Sequence, residues 1–533
     1  MKRIAYVILT FFLTFTFFVG GCGAETPESS SSTQSSSSEN IKYGLLLRKS
    51  EYSIVEGESV VLSVKFSANN EKADWSLLTF ESADKSVAVV GEDGTVTGVS
   101  AGTTKITVSH ENKKVEATVT VIAANKRVAL SQDNVELLKG GNATITATAY
   151  VENEKDETAT FVWSTENPSV ATVENGVITA VSEGETTISV AYGNITKKVN
   201  VFVARIITQA NVNSFDEDYI NIYGRTYITN NNLNLDHGAS AVELGIVGTS
   251  LSVNITATKK SYLRVFTDND AEGDRIQVLS GTKTYTVAQN LTDGYHKIRI
   301  VKATEEQQVS WDISGFVSTA FATVPKKSDF KIEFIGDSIT AGYGNLGVSG
   351  EKWSLDNSDS AKTYAYFASQ ELNANYSIVA YSGICTKAYH WASDLNMATY
   401  YTYFSKTNKQ EYTFDFKPNV IVLNLGTNEA SYIGKAAGAN YGSIFPIDYQ
   451  EFLSYLRSKN PDAYIICLYG MMGTSNTIKN GIATAVNKMA DSKIVFNPFE
   501  FEMNNIGAAG HPSLEAQKTW GRDLAQYIQG LSL

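Results

Sequence analysis

Along residues 41–326 apolar and polar side chains alternate with a period of two, in short runs bounded by turn-forming residues. Lys105-Ile106-Thr107-Val108, Thr187-Ile188-Ser189-Val190, Ser252-Val253-Asn254-Ile255 and Lys297-Ile298-Arg299-Ile300 are examples. Such alternation puts one face of a strand against a core and the other in water, so this region is predicted to be β-structure. From residue 331 the pattern changes. Continuous apolar runs at 331–335, 376–380, 419–425, 463–468 and 493–496 are separated by helical patterns, for example Tyr449, Phe452, Leu453 and Leu456 at i, i+3, i+4 and i+7. Five strands joined by helical crossovers predict an α/β domain with a five-stranded parallel sheet. In such sheets chemistry gathers beyond the carboxyl ends of the strands, where the strand order reverses.

The first residues carry a different pattern. Lys2 and Arg3 precede a sixteen-residue apolar stretch from Ile4 to Val19, interrupted only by threonines. It is short for a bilayer span and suits a secretory signal. The stretch ends in Val19-Gly20-Gly21-Cys22, and small residues just before a cysteine resemble the lipobox of bacterial lipoproteins. The resemblance implies a signal peptide over 1–21, a diacylglyceryl group on Cys22, and cleavage that leaves Cys22 as the new N-terminus. The competing reading is ordinary cleavage near Gly21. Eight of the ten residues from Ser29 to Ser38 are serine, a composition that behaves as flexible coil, so 22–40 reads as a tether. No later segment reaches spanning length. The expectation is an exported protein, lipid-anchored at the bacterial cell surface with the bulk of the chain outside.

Two β segments repeat. Trp75 and Trp163 open stretches that run through Asp84-Lys85-Ser86-Val87-Ala88 and Asn167-Pro168-Ser169-Val170-Ala171. They continue to Thr97-Gly98-Val99-Ser100-Ala101-Gly102 and Thr179-Ala180-Val181-Ser182-Glu183-Gly184, the last mark recurring 82 residues later. Residues 41–123 and 126–203 resemble the bacterial group 2 immunoglobulin-like domain, which implies two β-sandwiches serving as surface stalks or adhesive modules. Residues 204–326 form a further all-β unit. Within it Asp268-Asn269-Asp270-Ala271-Glu272-Gly273 imitates the start of a calcium loop, but the twelfth position is Leu279 where that loop needs glutamate, so the stretch reads as a hairpin turn.

Composition narrows the function. The 533 residues exceed one core, and 56 acidic against 44 basic side chains give a net charge of −12, which disfavours nucleic acid as a partner. Three cysteines are too few for a disulfide scaffold. No cluster of His, Cys and acids has metal-ligand spacing, and neither a metal nor another cofactor is expected.

The candidate chemistry stands at the strand ends. Gly336-Asp337-Ser338-Ile339-Thr340 follows the first apolar run, Tyr381-Ser382-Gly383 the second, Gly426-Thr427-Asn428-Glu429 the third, and Gly510-His511-Pro512 precedes the last helical pattern. A serine hydroxyl needs a base to accept its proton, and imidazole suits that task near neutrality. Only His390 and His511 are available in this segment, and His390, between Tyr389 and Trp391, reads as a cleft-wall residue. Backbone N–H groups of Ser338 and Gly383 and the amide of Asn428 are candidate oxyanion donors. Taken singly, each glycine, Asn428 and Ser338 also fits a turn or a helix cap.

In their order these four blocks resemble the SGNH (GDSL-like) hydrolases. Together with Gly294-Tyr295-His296-Lys297-Ile298-Arg299 in the preceding β-domain, they resemble carbohydrate esterase family 2, over residues 205–533. The resemblance implies a jelly roll over 204–326 followed by an SGNH esterase domain over 328–533. It implies Ser338 as nucleophile, His511 as base, and Ser338, Gly383 and Asn428 as the oxyanion hole. It also implies a serine esterase that removes acetyl groups, with a preference for 6-hydroxyl positions, from hemicellulose-type polysaccharides or oligosaccharides. The alternatives are an SGNH lipase or acyl esterase on non-sugar esters, and a non-catalytic sugar-binding or adhesive surface protein. Tyr389 and Trp391, just beyond Gly383, are candidate sugar-facing rings. Two positions depart from the SGNH pattern. Ala508 stands where an aspartate three residues before the histidine is usual, which argues for a dyad, and Glu429 replaces the aspartate after Asn428. Glu500 and Glu502 are the nearest carboxylates that could serve His511 instead.

Overall fold

The computed structural model describes residues 41–69, 71–207, 211–212, 215, 219–392, 394–497, 501 and 506–531. Cys22, the apolar stretch before it and the serine-rich segment lie outside these residues, as do Glu500 and Glu502. No helix among the described residues is long and apolar enough to cross a membrane.

The chain divides into two compact units, one ending at Asn125 and one running from Lys126 to Leu533. In the first, a four-stranded sheet orders Glu51–Val55, Lys113–Ile122, Gly102–His110 and Thr79–Ser82, and its outer strand Glu51–Val55 runs parallel to its neighbour. Inward residues such as Ile106, Val108, Ala117 and Val119 are fully buried, as the alternation predicts. The second unit opens with the same arrangement, Asn134–Leu138, Ile195–Ala204, Gly184–Tyr192 and Val162–Thr165, again with a parallel outer pair. The two tryptophans that mark the repeat differ locally. Trp163 lies on a strand, whereas Trp75 opens a short 3-10 turn because the Asp74 carboxylate accepts from the Ser76 N–H at 3.0 Å.

Next in the second unit, eleven strands join around the 17-residue strand Ala241–Ala257 as a jelly roll. Residues 251–257 of that strand alternate buried and half-buried, while 241–246 are buried throughout. In that second stretch Val242, Leu244 and Ile246 face the jelly-roll core, Ala241 meets side chains of the α/β domain, and Glu243 is covered by Asn221, Tyr223 and Arg299. Residues 268–273 turn between strands Ser261–Thr267 and Asp274–Val278, with the Asp270 carboxylate accepting from the Glu272 and Gly273 N–H groups.

The α/β domain has five parallel strands: β1 (Lys331–Gly336), β2 (Asn375–Ala380), β3 (Val420–Asn424), β4 (Tyr464–Leu468) and β5 (Ile494–Phe496). Their spatial order is β2-β1-β3-β4-β5. Helices α1 (Ser338–Ala341), α2 (Tyr364–Glu371), α3 (Met397–Tyr400), α4 (Thr427–Ile433), α5 (Tyr441–Lys459), α6 (Asn476–Met489) and α7 (Leu514–Gln529) connect and cover them. Alternate residues of each strand serve opposite faces. Ile332, Phe334, Val420, Val422, Ile466 and Leu468 meet α2 and α7, whereas Ile335, Ile421, Leu423, Ile465 and Cys467 meet α5 and α6. Tyr449, Phe452, Leu453 and Leu456 form the buried stripe of α5. Burial on both faces explains why these strands appear as unbroken apolar runs.

Buried charge fastens the jelly roll to the α/β domain. Arg225 and Glu333, both excluded from solvent, pair at 3.3 Å. Arg225 also donates to the carbonyls of Tyr401 and Tyr403 at 2.8 Å each, and its guanidinium lies 3.8 Å from the Tyr412 ring centroid. Arg264 grips Asp359 through two nitrogens at 3.0 and 2.7 Å. Removing one partner strands the other without water. We therefore expect Arg225→Leu to destabilise the jelly roll and α/β domain together by about 3–5 kcal/mol. Urea unfolding checks this, and a loss below about 1 kcal/mol would show that the pair does not hold the seam.

Candidate active site

In the order β2-β1-β3 successive parallel strands are added first on one side of β1 and then on the other, so the carboxyl ends of β1, β2 and β3 open onto one crevice. Each supplies one candidate residue. Ser338 is the first residue of α1, and the cap is taken by Asp337, whose carboxylate accepts from the Ile339 N–H at 3.0 Å. The Ser338 hydroxyl is thus free of capping duty. Gly336 permits the tight exit from β1, since a Cβ there would sit 2.0 Å from Thr340 Oγ1.

His511 lies 173 residues away in sequence, yet its Nε2 is 2.8 Å from Ser338 Oγ. Its Nδ1 faces the Ala509 carbonyl at 3.2 Å, and with the Nδ1–H tautomer it donates there, leaving Nε2 to accept from serine. Ala509 sits in the left-handed region at φ 52°, uncommon for a residue with a Cβ, in the turn that brings this carbonyl to the ring. Ala508 is buried and its N–H donates to the Gly344 carbonyl at 2.9 Å. No carboxylate among the described residues reaches His511. Desolvation pushes the imidazole pKa down to about 4, against the smaller opposing effect of the Ala509 carbonyl. Tyr343, five residues beyond Ser338, lies 4.6 Å from the His511 ring and stacks on Trp353 at 5.1 Å. Neither ring is singled out by motif spacing.

Gly383 has φ 82°, and a Cβ there would meet Trp391 Cβ at 2.7 Å. The loop around it is clamped from α4. Asn428 donates from Nδ2 to the Ile384 carbonyl at 2.9 Å, and the same nitrogen is 3.5 Å from Asp337 Oδ2. Glu429 is fully buried, and its Oε1 accepts from the Thr386 N–H at 2.5 Å and the Thr386 hydroxyl at 2.7 Å. That contact accounts for an acidic residue after Asn428. Burial raises the Glu429 pKa, and raises Asp337 to about 7. Cys385 in the same loop is buried and its thiol pKa is raised first by desolvation, then by these two carboxylates, so it stays protonated and does not compete as nucleophile. The backbone N–H groups of Ser338 and Gly383 have no protein acceptor among the described residues.

The remaining candidates sit at the surface. Tyr389 and Trp391 are 54% and 64% exposed. His390 is half-buried between the Trp391 and Tyr432 rings, and its Nε2 is 3.4 Å from Ser431 Oγ. A separate hollow of about 400 Å³ beside α2, lined by Phe266, Arg299, Lys362 and Arg522 among others, collects charges but no hydroxyl and imidazole pair.

Residues 222–326 match the carbohydrate esterase 2 N-terminal family, and 334–515 the GDSL-like lipase/acylhydrolase family. In pairing these two domains the chain is similar to carbohydrate esterase family 2. Residues 47–121 and 124–203 match the bacterial Ig-like domain, group 2. Among curated proteins, cellulase/esterase CelE of Acetivibrio thermocellus is 30% identical over 305 residues, covering 54% of this chain and 36% of that protein. An acetylxylan esterase / glucomannan deacetylase of Cellvibrio japonicus is 28% identical over 269 residues, covering 45% of this chain and 71% of that protein. The chain thus spans about a third of the first relative and more than two thirds of the second. A solved family two carbohydrate esterase from Clostridium thermocellum, in complex with cellohexaose, is 28% identical with a TM-score of 0.54, covering 58% of this chain and 98% of that one.

The low histidine pKa has a kinetic consequence. If His511 serves as the base for Ser338, kcat/KM is expected to hold well below the ordinary imidazole value of 6.5 and to fall only as pH drops through about 4. The pH profile of the free enzyme on a short-chain ester checks this, and an acid limb centred near 6.5 would show that the ring is solvated.

Proposed function

We propose that the jelly roll and α/β domain form a serine esterase that removes acetyl groups, 6-O groups foremost, from hemicellulose-type polysaccharides or oligosaccharides. The observation that carries this reading is the 2.8 Å contact between His511 Nε2 and Ser338 Oγ, with two unpartnered backbone N–H groups at the same strand ends. His511 accepts the hydroxyl proton as Ser338 Oγ attacks the acetyl carbonyl carbon. The tetrahedral oxyanion receives hydrogen bonds from the Ser338 and Gly383 N–H groups, and from Asn428 through its second N–H, which otherwise has only the 3.5 Å contact with Asp337. Collapse expels the sugar oxygen, which takes the proton from His511. Water then attacks the acetyl-enzyme by the same proton transfers and releases acetate. The neutral Ala509 carbonyl orients the imidazole without the negative charge of a triad aspartate. Exposed Trp391 and Tyr389 offer flat apolar faces to sugar rings. The names of the relatives, an acetylxylan esterase / glucomannan deacetylase and a cellulase/esterase, agree with an acetylated plant polysaccharide as substrate.

Acetate release from acetylated xylan, acetylated glucomannan and sugar acetates, set against long-chain acyl esters, tests the reading. We expect turnover of the acetylated carbohydrates and near-complete loss in Ser338→Ala. Preference for long-chain esters, or activity that survives Ser338→Ala, would overturn it.

The same proposal places the enzyme outside the cell, held to the membrane through lipid on Cys22, with the Ig-like domains as spacers. The net charge of −12 disfavours nucleic acid as a partner. Cys22→Ser is expected to move the protein from the membrane fraction to the medium, and an unmodified mature N-terminus in mass spectrometry of the native protein would reject the anchor.

A further inference from the structure

The Gly383 N–H shares a peptide unit with the Ser382 carbonyl, and Ser382 is held from outside the α/β domain. Glu305, buried on the connection between jelly-roll strands Tyr295–Lys302 and Trp311–Ala322, accepts through Oε2 from the Ser382 N–H at 3.2 Å and from its hydroxyl at 2.6 Å. Gln307, two residues on and exposed, donates from Nε2 to the Ser382 carbonyl at 3.3 Å. A peptide unit is planar and trans, so its carbonyl and N–H point in opposite directions. Holding the Ser382 carbonyl therefore fixes where the Gly383 N–H points. Glycine needs this help, because without a Cβ its backbone reaches a wide range of dihedrals at little cost. The clamp from α4 acts on Ile384 and Thr386, after Gly383, and the two jelly-roll side chains act before it.

We infer that Glu305 and Gln307 are positioning residues for the esterase reaction, contributed by the jelly roll to aim the Gly383 N–H at the oxygen of the scissile carbonyl. This rests on the esterase reading above. It makes the jelly roll part of the catalytic machinery, beyond any part in attachment. Neither side chain need touch the substrate. Burial raises the Glu305 pKa, opposed first by the hydrogen bonds from Ser382 and then by the charge of the fully buried Lys302.

The two uses of these bonds, aiming a donor and joining two domains, are separable in the full-length protein. With para-nitrophenyl acetate and acetylated glucomannan as substrates, we expect Glu305→Ala to lower kcat by about 10- to 100-fold with KM changed less than about twofold, since a misplaced oxyanion donor is felt in the transition state. Glu305→Gln, which keeps an acceptor oxygen facing Ser382, should recover most of that loss. Gln307→Ala, at an exposed side chain, should lower kcat by about three- to tenfold at an unchanged unfolding temperature. Asn428→Ala, expected to lose about 10²-fold in kcat, reports on the oxyanion hole independently. Kcat within about twofold of wild type in both Glu305→Ala and Gln307→Ala, while Asn428→Ala is impaired, would overturn the positioning role and leave the esterase reading standing. A wild-type protein that hydrolyses neither substrate would overturn both. If Glu305→Ala fails to fold, Gln307→Ala decides, an unchanged kcat counting against the inference.

Discussion

A carboxylate taken out of water must recover from protein donors the hydrogen bonds it gives up, or else take a proton. Much of this molecule follows from where that requirement is met. Glu333 and Asp359 lie in the α/β domain at its contact with the jelly roll and are satisfied by the jelly-roll arginines Arg225 and Arg264, while Arg299 pairs with Glu243 inside the jelly roll and reaches across to Gln370. These guanidiniums are fixed by further contacts, Arg225 by two backbone carbonyls and Arg264 by those of Glu272 and Gly273. Such pairs add less stability than their Coulomb attraction suggests, because desolvation opposes it, but they permit few geometries. Their effect is to fix how two domains meet. Lys302 shows the same rule for a cation: its buried ammonium donates to the Asp236 and Thr304 carbonyls, and desolvation lowers its pKa to about 8.

The same requirement continues into the crevice. Asp337 caps α1 and leaves Ser338 Oγ to the imidazole, while Glu429 closes the loop beyond Gly383 through Thr386. Glu429 Oε1 takes both donors of Thr386, and burial raises the pKa of its carboxyl. Both acids fix backbone at the crevice, and burial disfavours the charged form of each. His511 follows the same rule as a cation: burial disfavours its charged form and keeps a neutral base beside the serine.

What the sequence reveals follows from the range of the interactions. Period-two alternation and unbroken apolar runs are local, and they mark β1 to β5 to within a residue or two, together with the buried stripe of α5. Ser338, Gly383, Asn428 and His511 are legible as a site because each follows a strand or precedes a helix at a recognisable glycine or proline. Their partners are not. Glu305 sits 77 residues before Ser382 and Glu333 sits 108 residues after Arg225, with no periodicity joining them. Tyr343 and Trp353 are invisible for the same reason, their stacking beside His511 depending on a loop that turns back on itself. Glu429 is a puzzle in sequence and ordinary in space, since its meaning lies in Thr386.

The absence of an acid at 508 bears on why the jelly roll accompanies the α/β domain. A triad aspartate both orients the imidazole and stabilises the positive charge it acquires. The Ala509 carbonyl can do the first but, being neutral, does less of the second. On the proposed reading, the transition state then depends more heavily on the oxygen side, on donors that are already aimed when the substrate arrives. A glycine loop alone is a poor way to hold such a donor still. Side chains on a short connection of a separate domain are a better one, provided that domain cannot shift. The buried arginine pairs supply that proviso, so the bonds at the seam and the direction of one N–H belong to a single chain of constraint.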